Sequence, residues 1–101
     1  MQEEPNNLAI LRGVVTSELQ ENGGGAGLFE LTTSVFHKDK MYKTPHKIKV
    51  AGRAVPQVRQ AKLGHWVAVE GEIHLEHIFL LKFKNFELEE RETEASEGGG
   101  E

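Results

Sequence analysis

At 101 residues and 11.3 kDa, with 38% hydrophobic and 28% charged residues, the chain has room for one compact domain and is too apolar for a wholly disordered polypeptide. No apolar run approaches the ~20 residues of a membrane helix, Met1-Gln2-Glu3-Glu4 does not open a signal peptide, and no membrane partner and a cytoplasmic location are expected. Cysteine is absent and Asp39 is the sole aspartate, which excludes disulfides, zinc ribbons, iron–sulfur clusters, thiol nucleophiles and most paired-aspartate metal sites, while a net charge of −4 taken alone argues against nucleic acid.

Leu8–Thr16 reads as a first strand interrupted by Gly13, where glycine marks a bulge, a bend or a close backbone approach. The loop Glu21–Gly27 leads to a second strand, Leu28–His37. There Phe29, Leu31, Thr33 and Val35 share one face and Glu30, Thr32 and Ser34 the other. After a polar turn at Lys38–Lys40, a third strand spans Lys43–Gly52, with His46, Ile48 and Val50 alternating against Lys47 and Lys49. Val55, Val58 and Leu63 are then spaced for a short helix, with Pro56 near its start and Gly64 after its end. Trp66–His74 is the fourth strand, bent at Gly71. The fifth, Ile78–Leu88, slips phase near Lys84-Asn85, which predicts a bulge there. Residues 89–101 have a disordered composition.

Five strands with a helix between the third and fourth predict an all-β fold, a five-stranded Greek-key barrel of the OB type spanning residues 8–88, with a short extension at 1–7. Strand count alone also permits an SH3-like barrel or a small sandwich; the helix position favours OB.

Charge divides along the chain. Leu8–Phe86 holds 11 Lys/Arg against 7 Asp/Glu, whereas Glu87–Glu101 holds 7 Glu against one Arg. Between Lys38 and Lys62, the cations Lys38, Lys40, Lys43, Lys47, Lys49, Arg53, Arg59 and Lys62 face only Asp39. A single-stranded polynucleotide asks for cations along its phosphates and flat side chains under its bases. The candidate cations are Lys38, Lys40, Lys43, Lys47, Lys49 and Arg53, with Lys82 and Lys84 on the last strand. Phe29, Phe79, Phe83 and Phe86 fall on core phases. Three aromatics do not: Phe36 at the end of strand 2, Tyr42 in the basic loop and Trp66 opposite the core phase of strand 4. Phe36 and Tyr42 read as base-stacking residues, and Trp66 equally as a stacking residue or part of a subunit interface.

These residues resemble the bacterial single-stranded DNA-binding protein family and its relative, the primosomal replication protein N, from about Asn7 to Leu88. The resemblance rests on four pieces in order: Asn7-Leu8-Ala9-Ile10-Leu11-Arg12-Gly13; Phe29-Glu30-Leu31-Thr32-Thr33; His46-Lys47-Ile48-Lys49-Val50-Ala51-Gly52; and Lys62-Leu63-Gly64 followed by Val67-Ala68-Val69-Glu70-Gly71. It implies sequence-tolerant binding of single-stranded DNA by an OB fold that forms homodimers or homotetramers, acts in replication, repair or recombination, and has replication proteins as partners. The chain departs from the pattern at Pro45 and Ala51, where relatives place stacking aromatics. Its hairpin between strands 4 and 5 is cut to His74–His77, and its acidic end lacks the partner-docking tip.

Other chemistry is weakly signalled. Glu72, His74, Glu76 and His77 crowd one hairpin but fall short of a four-ligand zinc site, so no metal is expected. His46 reads as a packed or interface histidine. Gly23–Gly27 lacks the Gly-Lys-Ser/Thr ending of a phosphate-binding loop, and Ser17, Ser34 and Ser96 have no nucleophile context. Neither cofactor nor enzymatic activity is expected. Competing functions are an RNA-binding OB module and a protein–protein adaptor of the primosomal kind.

Overall fold

The computed structural model describes residues 7–88. Its elements are β1 (Leu8–Glu21), β2 (Ala26–His37), β3 (Lys40–Ala51), α1 (Ala54–Arg59), β4 (Trp66–Ile73) and β5 (Ile78–Asn85). The strands join in the order β1-β2-β3-β5-β4 and close, because β1 pairs with both β2 and β4. Neighbours are antiparallel except β3 and β5, which meet in parallel at Ile48↔Ile78 and Lys49↔Phe79. This is the OB barrel that the element order predicts.

β1 belongs to both walls. It runs against β4 from Leu8↔Glu72 to Val14↔Trp66, then against β2 from Val14↔Thr32 to Glu21↔Gly27. Gly13 lies at the changeover, where an added Cβ would strike the Thr32 carbonyl oxygen. The interruption expected there is thus a close backbone approach. β1 outruns its predicted end at Thr16 because hairpin pairing carries the ladder on through polar Ser17, Gln20 and Glu21, while Leu19 packs at the core margin.

Alternate side chains of the strands fill the interior: Val15, Phe29, Leu31, Ile48, Val50, Val67, Val69, Ile78 and Leu80 are buried, joined by Val55, Val58 and Ala61 from the α1 segment. Each buried Val, Leu, Ile or Phe side chain contributes roughly 1.5–3 kcal/mol of transfer free energy. Phe83 meets Phe29 edge to face at 6.1 Å. The helix is shorter than its predicted span. Its backbone tightens as Gln60 and Ala61 donate to Gln57 and Val58, so Ala61 turns inward and Leu63 is left exposed.

Outside the core, Arg59 donates Nε and an Nη to the two carboxylate oxygens of Glu21 at 2.7 and 2.9 Å, tying α1 to the end of β1. The Arg59 hydrogen bond holds the Glu21 carboxyl below its ordinary range, and slight desolvation opposes it.

The phase slip in β5 is real but sits earlier than predicted. Pairing steps from Gly71↔Leu80 to Glu70↔Lys82, so Leu81 is the extra residue. Ile78 and Leu80 face inward before it, and Phe83 and Asn85 after it. Two core expectations fail for this reason. Phe79 lies on the outside of the barrel, and Phe86 follows the strand in a helical turn, its ring 5.3 Å from the Lys84 ammonium. Buried Asn85 organises that end: its Oδ1 accepts from the amides of Glu87 and Leu88, and its Nδ2 reaches His65 Nδ1 at 3.1 Å.

Candidate nucleic-acid interface

Beyond Leu31 and His46 the β2–β3 ribbon leaves the barrel as an arm, and every residue from Ser34 to Pro45 is exposed. His46 seats its root: half-buried opposite Leu31, it lies 3.1 Å from the Thr33 hydroxyl. The arm closes at Lys38-Asp39, both at positive φ (52° and 66°), as a two-residue type I′ hairpin requires. Tyr42, read as a loop residue, is therefore a strand residue. The segment Lys40–Thr44 has no apolar alternation to announce a strand, yet its partner strand pairs with it residue for residue.

Register sorts the arm's side chains onto two faces. Phe36↔Met41 and Ser34↔Lys43 continue the outer phase that carries Lys47 and Lys49. Val35↔Tyr42 and His37↔Lys40 lie on the opposite phase, in line with the core pairs Phe29↔Ile48 and Leu31↔His46. Phe36 and Tyr42 thus sit on opposite faces of the ribbon, and one strand of bases cannot stack on both from one side.

β3 carries Lys40, Lys43, Lys47 and Lys49 and no acid. Lys47 is opposite Glu30, whose carboxylate accepts from the Thr16 hydroxyl at 2.6 Å. Lys49 lies between Leu28 on β2 and Phe79 on β5. Arg53 is far from the arm. It stands just before α1, beyond the end of β3, a strand whose 12 residues extend roughly 40 Å.

Trp66, Lys82 and Lys84 occupy a different wall. Trp66, 45% exposed, pairs with Val14, while Lys82 is opposite Glu70 and Lys84 opposite Ala68. A shallow groove there is lined by Ile10, Ala68, Glu70, Lys82, Phe83 and Lys84. Its apolar members, with Ile10 71% exposed, and its balanced Glu70–Lys82 pair make it a poorer phosphate track than β3.

The β4–β5 hairpin adds two imidazole rings whose sequence pattern suggests only metal ligation. His74 and His77 stack at 5.0 Å between ring centres and 15° between planes, and Phe79 meets His74 edge-on at 6.5 Å. The two imidazoles separate two hollows, one beside Lys49, Glu72 and Phe79, the other beside Pro45, His46 and Lys47. A four-residue hairpin with a histidine at each end is the signal in the sequence, because the ends of so short a loop must face each other. Among the described residues no cluster of three or more potential ligands is placed to hold a metal.

No family model and no curated protein matches this chain. Solved structures do. An SSB from Plasmodium falciparum, in complex with ssDNA, superimposes with a TM-score of 0.70 at 23% identity, covering 84% of this chain and 98% of that one. A small single-stranded DNA binding protein from Mycoplasma pneumoniae gives 0.63 at 16% identity, covering 78% and 85%. The N-terminal domain of PriB from Thermoanaerobacter tencongensis, described as dimeric, gives 0.60 at 19% identity, covering 80% and 97%. The chain has the OB fold shared by SSB and PriB structures.

Proposed function

We propose that this chain binds single-stranded DNA with little sequence preference, as a non-enzymatic, cytoplasmic OB module of replication, repair or recombination. The run of lysines on β3, a strand with no acid of its own, carries this reading: Lys43, Lys47 and Lys49 share one outer phase, with Phe36 at one end and Phe79 beside Lys49. Phosphates would follow the lysines while bases meet the rings. Two of the similar structures, one in complex with ssDNA and one named for binding it, support the assignment. Residues 8–88 would form the binding domain. The glutamate-rich residues 89–101, outside the described region, would compete for the same lysines at a local concentration set by their short tether.

A titration of labelled oligo(dT) at two salt concentrations tests this. Binding should weaken steeply with salt, because each neutralised phosphate releases counterions, and Lys47→Glu/Lys49→Glu should abolish it. No retardation of any homopolymer at physiological salt, even after deletion of 89–101, overturns it. Competition by oligo(U) separates DNA from RNA preference.

A second reading, of a subunit or adaptor surface, draws on the other wall, where Ile10, Trp66 and Leu81 are exposed. A second copy of the chain is its proposed occupant, in keeping with the dimeric PriB domain. Trp66→Ala should then lower the mass of the assembly and leave binding by each protomer intact.

A further inference from the structure

We propose that His74 and His77 form a protonation-tuned ridge for one nucleotide, with Lys47 and Lys49 receiving the phosphates on its two sides. This rests on the single-stranded DNA reading and assigns the ring contact to residues other than Phe36, Tyr42 and Trp66.

Three observations converge. The imidazoles are stacked at 5.0 Å with Phe79 at the edge of His74, which makes an aromatic surface several atoms wide on a closed barrel. The pair forms a wall common to two hollows, each of which also contains one outward lysine of β3. A ring ridge flanked by two cations matches the spacing logic of a strand that alternates base and phosphate. Pro45 and Ala51 on β3 offer no aromatic rings of their own, whereas the imidazoles of the hairpin line the same hollows as Lys47 and Lys49.

Histidine adds what phenylalanine cannot. A protonated imidazole keeps its stacking face and becomes a cation, so a bound phosphate favours proton uptake. The charged groups around the pair set its response. β3 contributes Lys47, Lys49 and His46, which oppose a further positive charge. Glu72 of β4 lies 3.2 Å from His74 Nε2 and favours it, and Glu76 in the hairpin tip adds a second acid. Glu30 of β2, opposite Lys47, partly offsets that lysine. DNA phosphates in the hollows shift this balance toward the charged form, and affinity rises as pH falls through the histidine range.

The test compares oligo(dT) affinity at pH 8 and pH 6, at constant ionic strength, for the full chain and two variants. The unaltered chain should bind several-fold tighter at pH 6. His74→Gln/His77→Gln should lose that increment and bind roughly 5- to 150-fold more weakly at pH 8, the range for losing one stacked base. His74→Tyr/His77→Tyr, which keeps rings without the titrating proton, should bind more tightly at pH 8 than the glutamine variant and lose the increment. Circular dichroism confirms that each variant is folded. If the glutamine variant keeps both its pH 8 affinity and its pH response, the ridge assignment is overturned while DNA binding stands. If the unaltered chain binds at neither pH, the DNA reading itself fails.

Discussion

The β2–β3 ribbon is one continuous ladder of 12 pairs, from Ala26↔Ala51 to His37↔Lys40, that leads two different lives. In its barrel half, Phe29, Leu31, Ile48 and Val50 are buried. In its arm half, Val35, Phe36, Met41 and Tyr42 keep the same alternation but stay about half exposed or more, Phe36 reaching 70%. Pairing sets the geometry of both halves. Burial alone divides the half that holds the molecule together from the half that is free to meet a ligand.

Ile48 and Tyr42 sharpen that contrast, because they occupy the same phase of the same strand six residues apart. Ile48→Ala should cost about 2–5 kcal/mol, and at about 4–8 °C per kcal/mol for a small domain Tm should fall by about 8 °C or more. Tyr42→Ala and Phe36→Ala should each stay within about 0.5 kcal/mol of the parent, as exposed substitutions do. A large Tm loss from either arm variant would mean that the arm is packed, in this molecule or against another copy. Those two variants also report which arm face meets DNA: if the strand runs along the outer phase with Lys43, Lys47 and Lys49, Phe36→Ala weakens oligo(dT) binding and Tyr42→Ala does not. The smallest effect belongs to the barrel's surface. Glu21→Gln should lower Tm slightly at neutral pH and low salt. The Glu21 carboxyl is held low by Arg59, so the wild-type advantage is complete above the usual carboxylate range and disappears as pH falls through the depressed value.

Where period two is uninterrupted, side chains could be placed from sequence. Phe29, Leu31, Ile48 and Val50 point inward as their alternation predicts, and Trp66 and Phe36 outward. The failures have local causes. Alternation alone puts Phe79 on the wrong phase because the position of a bulge is invisible in composition, and the slip shows only after several residues have passed. Sequence places Tyr42 in a loop because Lys40–Thr44 carries no apolar signal, whereas hairpin closure at Lys38-Asp39 zips it into a strand. The opposite facing of Phe36 and Tyr42 depends on register, which that turn fixes. The histidine ridge depends on two loop ends meeting in space.

Leu81 gives β5 one spare link. With it set aside from the ladder, Lys82 and Lys84 lie on the outer phase of the strand and Phe83 looks toward Phe29. In an unbroken alternation from Leu80 the two lysines would be driven into the oily centre. The strand therefore holds enough slack for one residue to be removed at that point without turning its second half inside out.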